Sequence, residues 1–174
     1  MNSLIVSNLA RVELFSYPYH KQLKKELYES LLQYKDKQNH ETNVKATMTE
    51  WNLISPGIQK LKDYIIESLE NLPPDHDWGH FGNFEFKTFW ANIYRHGEYT
   101  VSHCHVPEDL TVVYFLTSAA GDAPLLLDDS KTQIHSQEGL FALFPGYIYH
   151  SVPKHMSQVH ERITLSGDIS RIRK

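Results

Sequence analysis

A chain of 174 residues, 41% hydrophobic and 22% charged, has the size of one globular domain whose core needs neither disulfide nor structural metal. Its 17 basic and 21 acidic side chains leave a formal charge of −4, which argues against general binding to nucleic-acid phosphates. One cysteine, an apolar run of only Leu4-Ile5-Val6 near the amino terminus and no apolar stretch approaching ~18 residues predict a cytoplasmic protein without export signal or membrane anchor.

Arg11 to Pro18 reads as a short strand ended by its proline. From Tyr19 to Lys35, Leu23, Leu27, Leu31 and Tyr34 recur at helical spacing, and Lys21, Lys24 and Lys25 fall on the solvated side. Asp36 to Thr49 is polar and aperiodic, so a loop is expected there. Ser55 and Pro56 then form the N-cap and first turn of a second helix, with Ile58, Leu61, Ile65 and Leu69 as its apolar stripe and Pro73-Pro74 as its stop.

The period now changes from helical to alternating. Phe84 to Tyr94, Tyr99 to His105, Leu110 to Thr117, Leu125 to Leu127, Gly139 to Phe144 and Arg162 to Ile169 read as short strands, and turn signals such as His96-Gly97 and Pro145-Gly146 separate them. This spacing predicts a barrel or jelly roll, with the amphipathic helices covering it. The expected organisation is one domain over 1–174, in which 1–80 supplies a strand and supporting helices and 81–174 the β core. The chain carries no sign of its oligomeric state.

Eleven histidines are many, and eight of them (His20, His40, His76, His80, His96, His135, His155 and His160) are expected at partly exposed loops and element ends. His103 and His105 are separated by one residue in a predicted strand, where alternation sends both imidazoles to one face and Cys104 to the other. His150 follows a Pro-Gly turn and an expected aromatic strand, Tyr147 to Tyr149. In a jelly roll a histidine from a late strand can face an early His-x-His pair. Three ligands on one side would leave coordination positions open, as a catalytic metal requires. The competing reading is histidines satisfied by hydrogen bonds alone. Arg162, deep in a predicted strand with Thr164 on the same face, needs an anionic partner. That partner is either a local carboxylate, Glu161 or Asp168, or a dicarboxylate ligand reaching in from the metal.

The order Trp90-Ala91-Asn92, Gly97, His103-Cys104-His105, Leu110 to Leu116, Gly139, Phe144-Pro145, His150 and Arg162-Ile163-Thr164 resembles the 2-oxoglutarate and Fe(II)-dependent oxygenases, and within them the small prolyl-4-hydroxylase-like branch. The resemblance covers Phe84 to Ile169. It implies a mainly β fold with N-terminal helices, a double-stranded β-helix (jelly roll, cupin-like) buttressed by two amphipathic helices. It also implies Fe(II) held by His103, His105 and His150, with 2-oxoglutarate as cosubstrate and O2 as oxidant. His105 stands where the wider superfamily has Asp or Glu, which leaves the third ligand neutral, and Asp109 is the alternative ligand. Arg162 matches the residue that pairs with the distal carboxylate of 2-oxoglutarate, with Thr164 beside it. Phe115 replaces a common tyrosine, a contact that Asn92 or Tyr94 would take over. The implied activity is a dioxygenase hydroxylating a C–H bond of a peptide, protein or small-molecule substrate, with release of succinate and CO2. The rival readings are a cupin-like metalloenzyme that does not use 2-oxoglutarate and a non-catalytic jelly-roll binding module. Asp36 to Thr49, Trp78 to Phe84, Tyr147 and Tyr149 are candidates for the pocket mouth.

Overall fold

Ser55 starts the better-capped helix as its sequence predicts: its extended backbone turns the hydroxyl to accept from the Ile58 N–H, and Pro56 occupies the first turn. The computed structural model describes residues 2–7, 10–34, 42–79 and 82–172. In chain order these form β1 (Asn2–Ser7), β2 (Ala10–Ser16), α1 (His20–Leu31) with a 3-10 turn at Leu32–Tyr34, β3 (Val44–Lys45), β4 (Thr47–Met48) and α2 (Pro56–Glu70). The β core follows as β5 (Phe84–Tyr94), β6 (Tyr99–His103), β7 (Leu110–Thr117), β8 (Leu125–Leu127), β9 (Thr132–Ile134), β10 (Leu140–Pro145), β11 (His150–Val152) and β12 (Arg162–Arg171).

Two antiparallel sheets result, a seven-stranded one ordered β1-β2-β10-β7-β12-β5-β4 and a five-stranded one ordered β3-β6-β11-β8-β9. Alternation sorts the long central strands onto two buried faces. Phe89, Ala91 and Ile93 of β5, Val112, Tyr114 and Leu116 of β7, and Ile163 and Leu165 of β12 pack with Leu23, Leu27, Ile58, Leu61 and Ile65 of the two helices. The opposite face looks between the sheets. There Val113, Phe115 and Phe144 meet Leu125, Leu127 and Ile134, while Trp90 and Tyr94 meet Val44, Ala46 and Val152. Both faces of the large sheet are therefore covered, which explains why its central strands are almost continuously buried.

Several sequence expectations are corrected here. Part of the expected loop Asp36–Thr49 is strand: β3 pairs with β6 and β4 with β5, so each sheet gains an edge from this stretch. Two-residue strands have no period to read, and it is their neighbours that hold them; 36–41, like Lys35 at the expected end of the first helix, lies outside the described residues. Strand β1, which the apolar run at Leu4 did not predict, pairs antiparallel with β2. The expected strand Tyr147–Tyr149 is a turn closed by the Ile148 N–H on the Pro145 carbonyl, with both tyrosines about half exposed. Three histidines assigned to exposed positions are buried: His20 bonds the Tyr114 hydroxyl at 2.6 Å, His76 bonds Glu13 at 2.9 Å, and His155 is sealed beneath the His160 carbonyl. Each has found a polar partner remote in sequence or across a loop, which no local pattern records; His40 and His80 lie outside the described residues.

Candidate metal centre

His103 ends β6 and His150 begins β11, and the two are direct register partners. Adjacent antiparallel strands bring such opposed side chains within contact, and the ring centroids lie 4.4 Å apart. His105 arrives differently. The strand stops at His103, so simple alternation does not carry His105 to the same face. A loop does: the His105 N–H donates to the Gly146 carbonyl at 2.7 Å, and the Gly146 N–H donates to the Asp109 carbonyl at 3.0 Å. A Cβ on Gly146 would stand 2.3 Å from the Glu108 carbonyl oxygen, so only glycine allows the two loops to meet. The His105 ring then lies 4.9 Å from that of His103 and 5.1 Å from that of His150. One ring nitrogen from each of the three histidines lies within 4.8 Å of the others.

The hydrogen bonds decide which nitrogens those are. Nδ1 of His103 faces the Val101 carbonyl at 2.8 Å, and Nδ1 of His150 faces the Ile148 carbonyl at 3.0 Å. A carbonyl only accepts, so each Nδ1 carries the proton and each Nε2 keeps its lone pair for a metal. Burial, followed by the neighbouring His103, pushes the pKa of His150 down to about 3, and burial lowers that of His103. The pair is neutral at physiological pH, the form that binds metal. The donor set fits a divalent transition metal with ligands on one side and open positions on the other.

Arg162 is fully buried beside a small cavity of about 30 Å³ between the sheets. On β12 the inward positions are Arg162, Thr164, Ser166 and Asp168, and opposite them on β5 stand Tyr94, Asn92, Trp90 and Thr88. The cavity is lined by Arg162, Thr164, Asn92 and Tyr94 together with His103, His105 and His150. The Arg162 guanidinium lies between two rings, 5.0 Å from the Tyr94 centroid and 5.4 Å from that of Phe115, and its Nε bonds the Ser136 hydroxyl at 3.1 Å. Both terminal nitrogens lack hydrogen-bond partners among the described residues. Neither local carboxylate serves it: Glu161 pairs with Arg95 at 3.0 Å, and Asp168 faces His105 and Thr88. Against the burial that lowers the pKa of Arg162, the Tyr94 side chain and then, at longer range, Asp122 favour its charge. A buried cation with two unpartnered donors has the chemistry to pair with an anion.

The other sequence candidates are placed as follows. The Tyr94 hydroxyl bonds Thr100 at 2.7 Å, and the Asn92 amide nitrogen donates to Ser166 at 3.3 Å, leaving its buried Oδ1 unpartnered. Asp109 is turned away from the histidines and accepts from Arg171 at 2.7 Å. Asp168, beside His105, belongs to the site without having been picked out for it; the readable signal was the polar alternation Arg162, Thr164, Ser166, Asp168 in an otherwise apolar strand. A second cleft opens on the outer side of the histidines, lined by Val44, Met48, Trp51, Trp90, Val106 and Pro107. Trp51 packs edge-on against Trp90 with centroids 4.9 Å apart, and as a lone aromatic in a loop it gave no sequence signal. Trp78, Phe84 and Tyr147 line a separate groove.

Two facing antiparallel sheets, helices on the outer face of one and a polar cavity between them form a double-stranded β-helix, the fold of 2-oxoglutarate oxygenase structures. The chain is similar to the viral collagen prolyl hydroxylase of Paramecium bursaria Chlorella virus-1 in its 2-oxoglutarate complex, with 14% identity, a TM-score of 0.66 and coverage of 92% of this chain and 96% of that one. It is similar also to a Pseudomonas putida prolyl-4-hydroxylase, with 13% identity, a TM-score of 0.67 and 93% of each chain covered. A third structure is the Trichoplax adhaerens prolyl hydroxylase in complex with a hypoxia inducible factor peptide fragment, with 14% identity, a TM-score of 0.64 and coverage of 92% and 83%. At these identities the likeness is one of fold. No family model and no curated protein matches the chain.

Proposed function

We propose that this protein is an Fe(II)- and 2-oxoglutarate-dependent dioxygenase that hydroxylates a C–H bond of a peptide, protein or small-molecule substrate. The observation that carries this reading is Arg162: a fully buried guanidinium with two unpartnered nitrogens, in the same cavity as three converging imidazoles. An unpaired buried cation calls for an anion, and a dicarboxylate reaching from the metal ligands to Arg162 would satisfy both ends. When bound, Fe(II), 2-oxoglutarate and O2 supply the oxidising chemistry, with succinate and CO2 as products.

The chain's own residues do the rest. His103, His105 and His150 offer three lone pairs from one side and leave the other side for ligands. Arg162 pairs with the distal carboxylate, its guanidinium within cation–π distance of the rings of Tyr94 and Phe115. The Thr164 hydroxyl and the free Asn92 Oδ1 line the same cavity, and Tyr94 takes a packing role where a hydroxyl contact at Phe115 is missing. His103 and His105 line both this inner cavity and the outer cleft at Trp51 and Trp90, which puts cosubstrate on the inner side and substrate on the outer. That cleft mixes Trp51, Trp90 and Val106 with polar groups such as Asn43 and Glu108, a lining that suits a peptide, and the peptide-bound Trichoplax structure, alike in fold, supports one.

The test is succinate formation with Fe(II) and 2-oxoglutarate across a panel of peptides and small molecules. His150→Ala should abolish it. Arg162→Gln should raise the 2-oxoglutarate concentration needed for half-maximal turnover at least tenfold while metal content stays near one equivalent. Equal turnover by wild type and His150→Ala, or an unchanged cosubstrate requirement in Arg162→Gln, overturns the reading.

A further inference from the structure

Asp168 lies outside the ligand cluster, yet its surroundings are organised around it. Its Oδ1 stands 2.9 Å from Nδ1 of His105, with both side chains about nine-tenths buried, and makes no hydrogen bond among the described residues. Its Oδ2 accepts from the Thr88 hydroxyl at 2.7 Å across the β12–β5 pair. The Trp90 ring stacks on His105 at 5.7 Å with an interplanar angle of 28°. The preceding residue is held just as closely: a Cβ on Gly167 would come within 2.6 Å of Phe89, so this strand position tolerates no side chain. Just past Asp168 the pairing register slips between it and Ile169, at the end of the inward polar stripe.

The other two histidines of the cluster have their Nδ1 facing a neutral carbonyl. His105 alone faces a carboxylate. It is also the one whose loop, rather than a strand, supplies its backbone, so it has most to gain from an external restraint. We propose that Asp168 is a positioning residue of the metal centre, which orients the His105 ring so that Nε2 is directed at the metal and places beside the three imidazoles a carboxylate that none of them carries. A carboxylate hydrogen-bonded to the far nitrogen of a ligating imidazole orients the ring and raises its basicity. In a buried site it also offsets the charge of a divalent ion. This inference rests on the reading of His103, His105 and His150 as metal ligands.

Two measurements test it, neither requiring turnover. The first is Co(II) binding to the metal-free protein, followed by visible absorption, in wild type, Asp168→Asn and His150→Ala. Asn keeps the size of Asp and the contact with Thr88 but removes the charge, and its affinity should fall about tenfold to a hundredfold. Affinity within twofold of wild type in Asp168→Asn, alongside lost binding in His150→Ala, overturns the role of Asp168 and leaves the metal centre standing. Undiminished binding in His150→Ala removes the metal centre and the inference with it. The second measurement uses the wild-type chain and so does not depend on how any variant folds. Nitrogen-15 shifts of the histidine rings in the Zn(II)-loaded protein should show His105 protonated on Nδ1 and ligating through Nε2. Zn(II) found on Nδ1 of His105 overturns the proposal.

Discussion

His150 is the residue at which burial does the most chemistry. In the metal-free protein its pKa is pushed down to about 3 from an ordinary 6.5, first by burial and then by His103. Below pH 6.5 the unfolded chain therefore binds a proton that the folded chain refuses. Stability is fully present above 6.5 and is lost as pH falls toward 3, by about 2 kcal/mol from this residue alone at pH 5. His103, shifted the same way, adds to the loss. Thermal unfolding of the metal-free protein between pH 7 and 5 should show a falling midpoint, and His150→Phe should flatten that slope; an equal slope in both proteins would remove His150 as its source. At Arg162 burial likewise lowers the pKa from the ordinary value, while the Tyr94 ring at 5.0 Å and the Phe115 ring at 5.4 Å offer their faces to the guanidinium.

At the scale of elements, three connections place the ligands. Register places His103 against His150. Alternation on β12 points Arg162, Thr164, Ser166 and Asp168 inward while Ile163 and Leu165 meet the helices. The contact of Gly146 with the loop from His105 to Asp109 places His105. Gly146→Ala sets a methyl group against a backbone carbonyl that cannot move without taking His105 with it. Destabilisation of about 1–3 kcal/mol is expected from such overpacking, together with a loss of Co(II) affinity that exceeds the loss of fold. Unchanged metal binding in this variant would mean that the loop is placed by something other than the Gly146 contact. Register and alternation were partly legible in the sequence, since a His-x-His pair and a polar-apolar strand can be read residue by residue. The loop contact was not, because it depends on how closely two backbones approach, and a lone glycine after a proline reads only as a turn.

For the molecule as a whole, the site divides between the two sheets. His103 and His150 belong to the five-stranded sheet, and Arg162, Thr164 and Asn92 to the seven-stranded one. On the proposed reading a metal would touch mainly the first, whereas a dicarboxylate bound to that metal and to Arg162 would tie the two together. Ligands that bind only the folded state raise its stability by mass action, about 2.7 kcal/mol at a hundredfold excess over Kd. Co(II) and 2-oxoglutarate together should therefore raise the unfolding midpoint by more than the sum of their separate effects, and Arg162→Gln should reduce the joint effect to that of Co(II) alone. Strict additivity in the wild type would count against a ligand that bridges the sheets.

Hydrophobic periodicity determined the two helices and the long strands, because period 3.6 and period 2 are properties of the chain that burial on one or two faces must respect; it left barrel and jelly roll open, and the family resemblance singled out the jelly roll. The histidine pair, His150 and Arg162 were likewise visible as residues out of keeping with their apolar surroundings. Only the tertiary structure decided that Glu161 and Asp168 are engaged elsewhere, that Asp109 faces Arg171, that short strands from 44–48 complete both sheets, and that Asp168 stands behind His105. Each of those outcomes is a choice among partners far apart in the chain, and such choices are settled by distance in the folded molecule.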